Sequence, residues 1–179
     1  MTENDIISMI GMDRIQKAKE IYRSLAKELG LKELIAEGKI TEAALTAHLW
    51  FCRFYNIWTY KIGCEPKESA AFTTFNGKCH ASTVWRLSSI YINKDAKWSG
   101  AGMVSTLMHE WQHVLQFERG KAISGKSHEE MCDVMEQFIM RGYPDKYYDN
   151  PLEINAFEAQ LTGLVTDVSF VDDLVKHAP

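Results

Sequence analysis

The first strong periodicity in the chain begins at Ile15, where Ile15, Ala18, Tyr22, Leu25 and Leu29 recur at intervals of three and four up to Gly30. Apolar side chains at that spacing share one helical face, and Asp13-x-x-Gln16 resembles a capping box at its start. A second helix is predicted after Thr41, running to about Tyr60 and dense in Leu49, Phe51, Phe54, Tyr55, Ile57 and Trp58. That aromatic stripe reads as core. The pattern then changes. Asn76-Gly77 is a hairpin signal between Ala71–Phe75 and Lys78 onward, and Leu87–Asn93 alternates with period two. These segments predict a small antiparallel sheet with an exposed edge near Ile90-Tyr91-Ile92.

Helical spacing returns after Ser99, a capping residue. Met103, Val104, Leu107, Met108, Trp111, Val114 and Leu115 cluster on one arc at about 100° per residue, and Gly120 is the predicted stop. Ser127-x-x-Glu130 is a second capping box, opening a helix with Met131, Val134, Met135, Phe138 and Ile139 on one face and ending at Gly142-Tyr143-Pro144. Asn150-Pro151 starts the last helix as N-cap and first-turn proline. Helices on both sides of a short sheet make the fold class α+β, and the absence of repeats or linkers makes residues 1–179 a single expected domain.

Composition narrows the function classes. The fractions of hydrophobic (46%) and charged (25%) residues are those of an ordinary globular protein, and a net charge of −4 gives no signal for nucleic-acid binding. Cys52, Cys64, Cys79 and Cys132 form no C-x-x-C pair, so they read as reduced thiols rather than as a structural zinc site. Cys79-His80 is adjacent rather than spaced for chelation. Met1–Asp5 shows no signal-peptide pattern, and the most apolar stretch, Leu45–Tyr60, carries His48, Arg53 and Asn56. The expectation is a cytoplasmic chain without a membrane partner. Nothing in the sequence sets an oligomeric state.

The chemistry lies in His109-Glu110-Trp111-Gln112-His113. Four residues are close to one helical turn, so both imidazoles project from one face, opposite the apolar arc, with Gly102, Thr106 and Gln116 nearby. Two stacked imidazoles are half of a tetrahedral zinc site, and Glu110 is placed to take a proton from a water on the metal. The competing reading makes the histidines satisfied core residues or part of a solvated face. A catalytic zinc needs a third protein ligand, for which Glu153, Glu158 and His128 are candidates. On a helical wheel Glu153 shares an arc with Ala156, Phe157, Gln160, Leu161 and Leu164, whereas Glu158 lies roughly 140° away and reads as solvated. A carboxylate on an inward face is costly unless paired or metal-bound. Asn150-x-x-Glu153 is also a capping arrangement, so capping is a rival role for Glu153. His128, at the first position of a capped helix, reads either as a ligand or as a surface histidine.

His109-Glu110-x-x-His113-x-x-Gln116 followed by Pro151-x-Glu153-x-x-Ala156 resembles zincin metallopeptidases of the gluzincin type, and in particular small phage and bacterial members with an H-E-x-x-H-x-x-Q helix and a later P-x-E-x-x-A helix. The resemblance covers roughly Leu87 to Val165. It implies a zincin-like domain with N-terminal helices, a small sheet, an active-site helix and C-terminal helices. It also implies Zn2+ on His109, His113 and Glu153, with Glu110 as general base. The run through His128 is similar to SprT-like proteases as well, whose third ligand is a histidine, although Glu129 stands where those proteins carry glycine.

The expected activity is zinc-dependent hydrolysis of peptide bonds in a protein or peptide substrate. Tyr147 or Tyr148 is a candidate donor to the oxyanion, and the strand near Ile90-Tyr91-Ile92 is the candidate surface for holding substrate backbone. The alternative is a non-catalytic zinc-containing binding module on the same fold.

Overall fold

Thr2 opens the first helix, because its hydroxyl accepts from Asp5 N (3.3 Å) while the Asp5 carboxylate accepts from Thr2 N (2.7 Å). In the computed structural model, which describes all residues except 73–78, 141–146, 164–166 and 179 and the side chain of Met140, this helix, α1, spans Glu3–Ile10. Gly11, at φ 85°, separates it from α2 (Met12–Glu28). Asp13 therefore sits inside the first turn of α2 rather than capping it. Ile15, Ala18, Tyr22 and Leu25 are buried along α2 as their spacing predicts. A short helix, α3 (Leu31–Ala36), follows Gly30, and α4 spans Ile40–Tyr55. Asn56 in the left-handed conformation stops α4 well before Tyr60. The aromatic stripe is core on one side only: Phe51 is buried, but Phe54 and Trp58 are 59% and 57% exposed.

The sheet has the order β1-β3-β2, with β1 at Lys61–Glu65, β2 at Ala81–Val84 and β3 at Ser89–Asn93. β1 runs parallel to β3, placing Ile62 against Ile90, and β2 runs antiparallel, placing Thr83 against Ile90. Two expectations are corrected here. The sheet is mixed rather than antiparallel, and Ile90-Tyr91-Ile92 lies in the central strand with its ladder groups committed on both sides. The edge strands of the described sheet are β1 and β2. The Asn76-Gly77 hairpin lies outside the described residues.

α5 runs from Gly100 to Ser124, with Ser99 capping its start by accepting from Gly102 N (3.0 Å). It passes through Gly120 and ends at Gly125 (φ 65°). Gly120 is instead a packing position, since a Cβ there would lie 2.9 Å from the sulfur of Met131. Met131 belongs to α6 (His128–Met140), opened by the Ser127/Glu130 capping box. Arg86, in the 3-10 turn Trp85–Leu87, pairs with Asp133 and Glu136 on α6 and pins that helix to the end of β2. A second 3-10 turn, Tyr147–Asp149, leads into α7 (Pro151–Thr162), whose N-cap Asn150 accepts from Leu152 N (3.0 Å); α8 spans Phe170–Lys176.

The described residues thus form an α+β fold with α5 at its centre, packed against α2, α4, α7, α8 and the sheet. Trp111 on α5 is fully buried among the rings of Phe51, Tyr55, Tyr60 and His48. The opposite, polar arc of α5 is also buried, against α7. Among the described residues no helix is long and apolar enough to cross a membrane.

Candidate metal centre

A helix that is apolar on one side and carries histidines, glutamate and glutamines on the other must satisfy those polar groups when both sides are covered. On α5 they meet the first turns of α7. His109 Nε2, His113 Nε2 and Glu153 Oε2 form a triangle with edges of 3.3, 3.4 and 3.5 Å, and all three residues are buried. Four-coordinate zinc with ligands at about 2.0–2.1 Å places neighbouring ligand atoms about 3.3 Å apart. The three donors therefore already stand at the spacing such an ion requires. Glu153 Oε2 is buried without a hydrogen-bond partner among the described residues, the condition of an oxygen that awaits a cation. This group could hold a metal ion.

The electrostatics follow from the same proximity. Burial pushes the His113 imidazole down, but the Glu153 carboxylate, with Glu110 and Gln116 beside it, outweighs that and raises it to about 9. Burial pushes Glu153 up, but the His113 charge and the close approach of both imidazoles hold it well below the usual carboxylate range. Two carboxylates, Glu110 and Glu153, line the same cavity as the two imidazoles, a donor grouping that suits a divalent cation.

Neighbouring groups orient His113 and Glu110. His113 Nδ1 meets Gln116 Oε1 at 2.9 Å, which turns Nε2 towards the triangle, and the His113 carbonyl accepts from Trp85 Nε1 (3.2 Å). Glu110, adjacent to His109, points to the edge strand, where Thr83 Oγ1 donates to its Oε2 at 2.6 Å. A cavity of about 60 Å3 opens over the group, walled by Ala81, Ser82 and Thr83 of β2, by Ile139 of α6, and by Cys79 and Tyr147. Tyr147 donates to Glu153, and burial together with the Glu153 charge raises its phenol well above the usual range, so it stays protonated. Burial and the charge of Glu110 likewise push the Cys79 thiol up to about 12. Two larger concavities, about 320 and 510 Å3, lie along α2 and the start of α5, away from these groups. The chemistry, rather than the volume, marks the site.

The structure brings together His109, Glu110, His113 and Glu153. Glu153 is inward as the wheel predicts, and Ala156 is fully buried one turn later, although Phe157, Gln160 and Leu161 are only half-buried and the deeper face carries Leu152, Asn155 and Ala159. His128 is elsewhere: its Nε2 lies 2.9 Å from the Trp85 carbonyl oxygen and its ring stands edge-on to Phe117. It anchors α6 and is not in the cluster. Glu158 is half-buried and also outside it. Of the two tyrosines, Tyr147 lines the cavity, while the Tyr148 hydroxyl reaches Glu3 at the surface (3.3 Å). Thr83, Cys79, Gln112 and Asn155 are contributors that sequence periodicity does not single out, because each acts through a partner distant in the chain. Comparisons with family models, curated proteins and solved structures returned no match.

Proposed function

We propose that this chain is a zinc-dependent peptidase of zincin-like type in which His109, His113 and Glu153 hold the ion and Glu110 is the general base. The observation that carries this reading is the ligand triangle at tetrahedral spacing with the Glu110 carboxylate on the wall of the same cavity. Two imidazoles and a carboxylate are a donor set suited to zinc. A bound zinc would supply Lewis acidity, polarising a water and the scissile carbonyl. Glu110 accepts the proton that the attacking water gives up and passes it to the leaving amine nitrogen. Thr83 holds Oε2 by its hydrogen bond, which leaves Oε1 to carry that proton. Tyr147, kept protonated by its surroundings, donates to the oxyanion that develops on the carbonyl. β2 lies at the edge of the described sheet and walls the cavity, so an extended substrate pairs its backbone there rather than with β3.

Three protein donors among the described residues favour a catalytic site over a structural clip, since structural zinc is usually closed by four protein ligands. Metal analysis of purified protein, combined with cleavage of an unstructured protein, tests the proposal. The expected result is one zinc per chain and cleavage that a chelator abolishes and added zinc restores. Protein that binds no zinc overturns the proposal, and stoichiometric zinc without cleavage favours the non-catalytic binding module.

A further inference from the structure

The face of α5 that meets α7 carries two pairs at one-turn spacing, side by side. His109 and His113 converge on Glu153. Gln112 and Gln116, each fully buried, converge on Asn155, two residues further along α7. Asn155 Oδ1 accepts from Gln112 Nε2 at 2.8 Å and from Gln116 Nε2 at 2.9 Å. Gln116 Nε2 also donates to the Leu152 carbonyl (2.9 Å), the residue before Glu153, and its Oε1 meets His113 Nδ1. Asn155 Nδ2 donates to the Asp167 carbonyl (3.1 Å), tying α7 to the segment before α8.

We infer that Asn155 is a positioning residue: with Gln112 and Gln116 it clamps α7 to α5 independently of any metal and so holds Glu153 at ligand distance from the two histidines. This rests on the metal-centre reading above. The glutamine–asparagine contacts are between neutral amides, so they form without any ion in the site. Their directions also fix more than a distance. Two donors from successive turns of α5 meeting one acceptor on α7 prevent α7 from sliding along α5, and the Leu152 contact prevents its first turn from rotating. Fully buried amides are expensive to leave unpaired, so the clamp has few alternative arrangements. A ligand set held ready in this way binds metal without reordering the helix.

Zinc affinity, measured by competition with a chromophoric chelator, together with the thermal melting of metal-free protein, tests the clamp. Asn155→Leu removes the shared acceptor, and Gln112→Met removes one arm that does not touch a ligand. Both are expected to weaken zinc binding about tenfold or more in folded protein. Asn155→Asp keeps an acceptor for both glutamines, loses the donation to the Asp167 carbonyl and adds a buried negative charge, so its metal-free melting temperature is expected to fall while the zinc affinity of the folded protein is not weakened. A merely structural role lowers the metal-free melting temperature and leaves the zinc affinity of the folded variants unchanged, which would overturn the inference. Affinity lost equally in Asn155→Asp and Asn155→Leu would overturn it too, by assigning the effect to the Asp167 contact. Should Asn155→Leu not fold, Gln112→Met decides. Failure of the wild-type chain to bind zinc is a different result and refutes the metal-centre reading itself.

Discussion

Thr83 Oγ1 sits 2.6 Å from Glu110 Oε2, joining an edge strand of the described sheet to the carboxylate that follows the first histidine of the candidate metal centre. The hydroxyl also reaches the Glu110 backbone carbonyl at 3.2 Å. The strand that walls the cavity therefore also sets the rotamer of the proposed base. Thr83→Val keeps the shape and β-branching and removes the donor. The expected outcome is unchanged zinc content with peptidase activity lowered about 10- to 100-fold, from a hydrogen bond to a charged group worth about 1.5–3 kcal/mol. Thr83→Ser is expected to restore most of it. Steady-state rates alongside metal analysis give the comparison.

Glu110→Gln separates proton transfer from metal binding. Glu110 is outside the ligand triangle, so the variant is expected to hold zinc as the wild type does while losing activity by about 100- to 10,000-fold, the usual contribution of a positioned general base. A metal-replete variant that keeps most of its activity removes Glu110 from the proposed role.

The third ligand is tested by a pair of substitutions. Glu153→Ala takes one corner from the triangle and is expected to lose stoichiometric zinc, whereas His128→Ala is expected to bind zinc normally. The His128 change deletes the contact with the Trp85 carbonyl and the ring contact with Phe117, for an expected loss of about 1 kcal/mol of stability. Zinc titration and chemical unfolding of both variants read the two effects separately. Zinc loss in His128→Ala instead would place the third ligand on α6.

Tyr147→Phe preserves the ring on the cavity wall and deletes its hydroxyl. Since that hydroxyl donates to Glu153 in the metal-free chain, the variant is expected to bind zinc at least as well as wild type, while kcat falls about 100-fold through loss of the oxyanion donor. Tyr148→Phe, at the surface contact with Glu3, is expected to behave as wild type. Equal activities of the two variants would dismiss Tyr147 as the donor.

Gly120→Ala tests the packing of α5 on α6. Alanine improves helix propensity by about 1 kcal/mol, but the new methyl meets the fully buried Met131 sulfur at 2.9 Å and its Cε at 3.3 Å. Overpacking of a fully buried contact typically costs about 1–3 kcal/mol. Net destabilisation of about 1 kcal/mol in urea unfolding is therefore expected. A stabilised variant would show that Met131 swings aside at little cost.

Much of the candidate site was legible because it is local. The H-E-x-x-H spacing makes one helical turn, and the apolar arc around Trp111 assigns the histidines to the other side; neither inference needs a distant residue. Glu153 could be placed inward for the same reason, because the amphipathicity of one helix is written within a dozen residues. Gly120 shows the limit of such reasoning. A glycine after an apolar run signals a helix end, but here the missing side chain serves a neighbour that approaches from α6, and the helix continues to Gly125.

Period-two alternation likewise identified Ile90-Tyr91-Ile92 as strand, yet it carries no information about which strands lie beside it. The parallel pairing of β1 with β3 made β3 central and left β2 at an edge beside the candidate metal centre. The amino-acid sequence by itself determined that two imidazoles share a face and that a carboxylate points inward on a later helix, since both follow from backbone periodicity. Tertiary structure alone decided that Glu153 rather than His128 reaches the imidazoles, that Thr83 holds Glu110, and that Asn155 meets Gln112 and Gln116. Those contacts join residues tens of positions apart, and their geometry is set by how α5, α6, α7 and the sheet pack together, which no local pattern encodes.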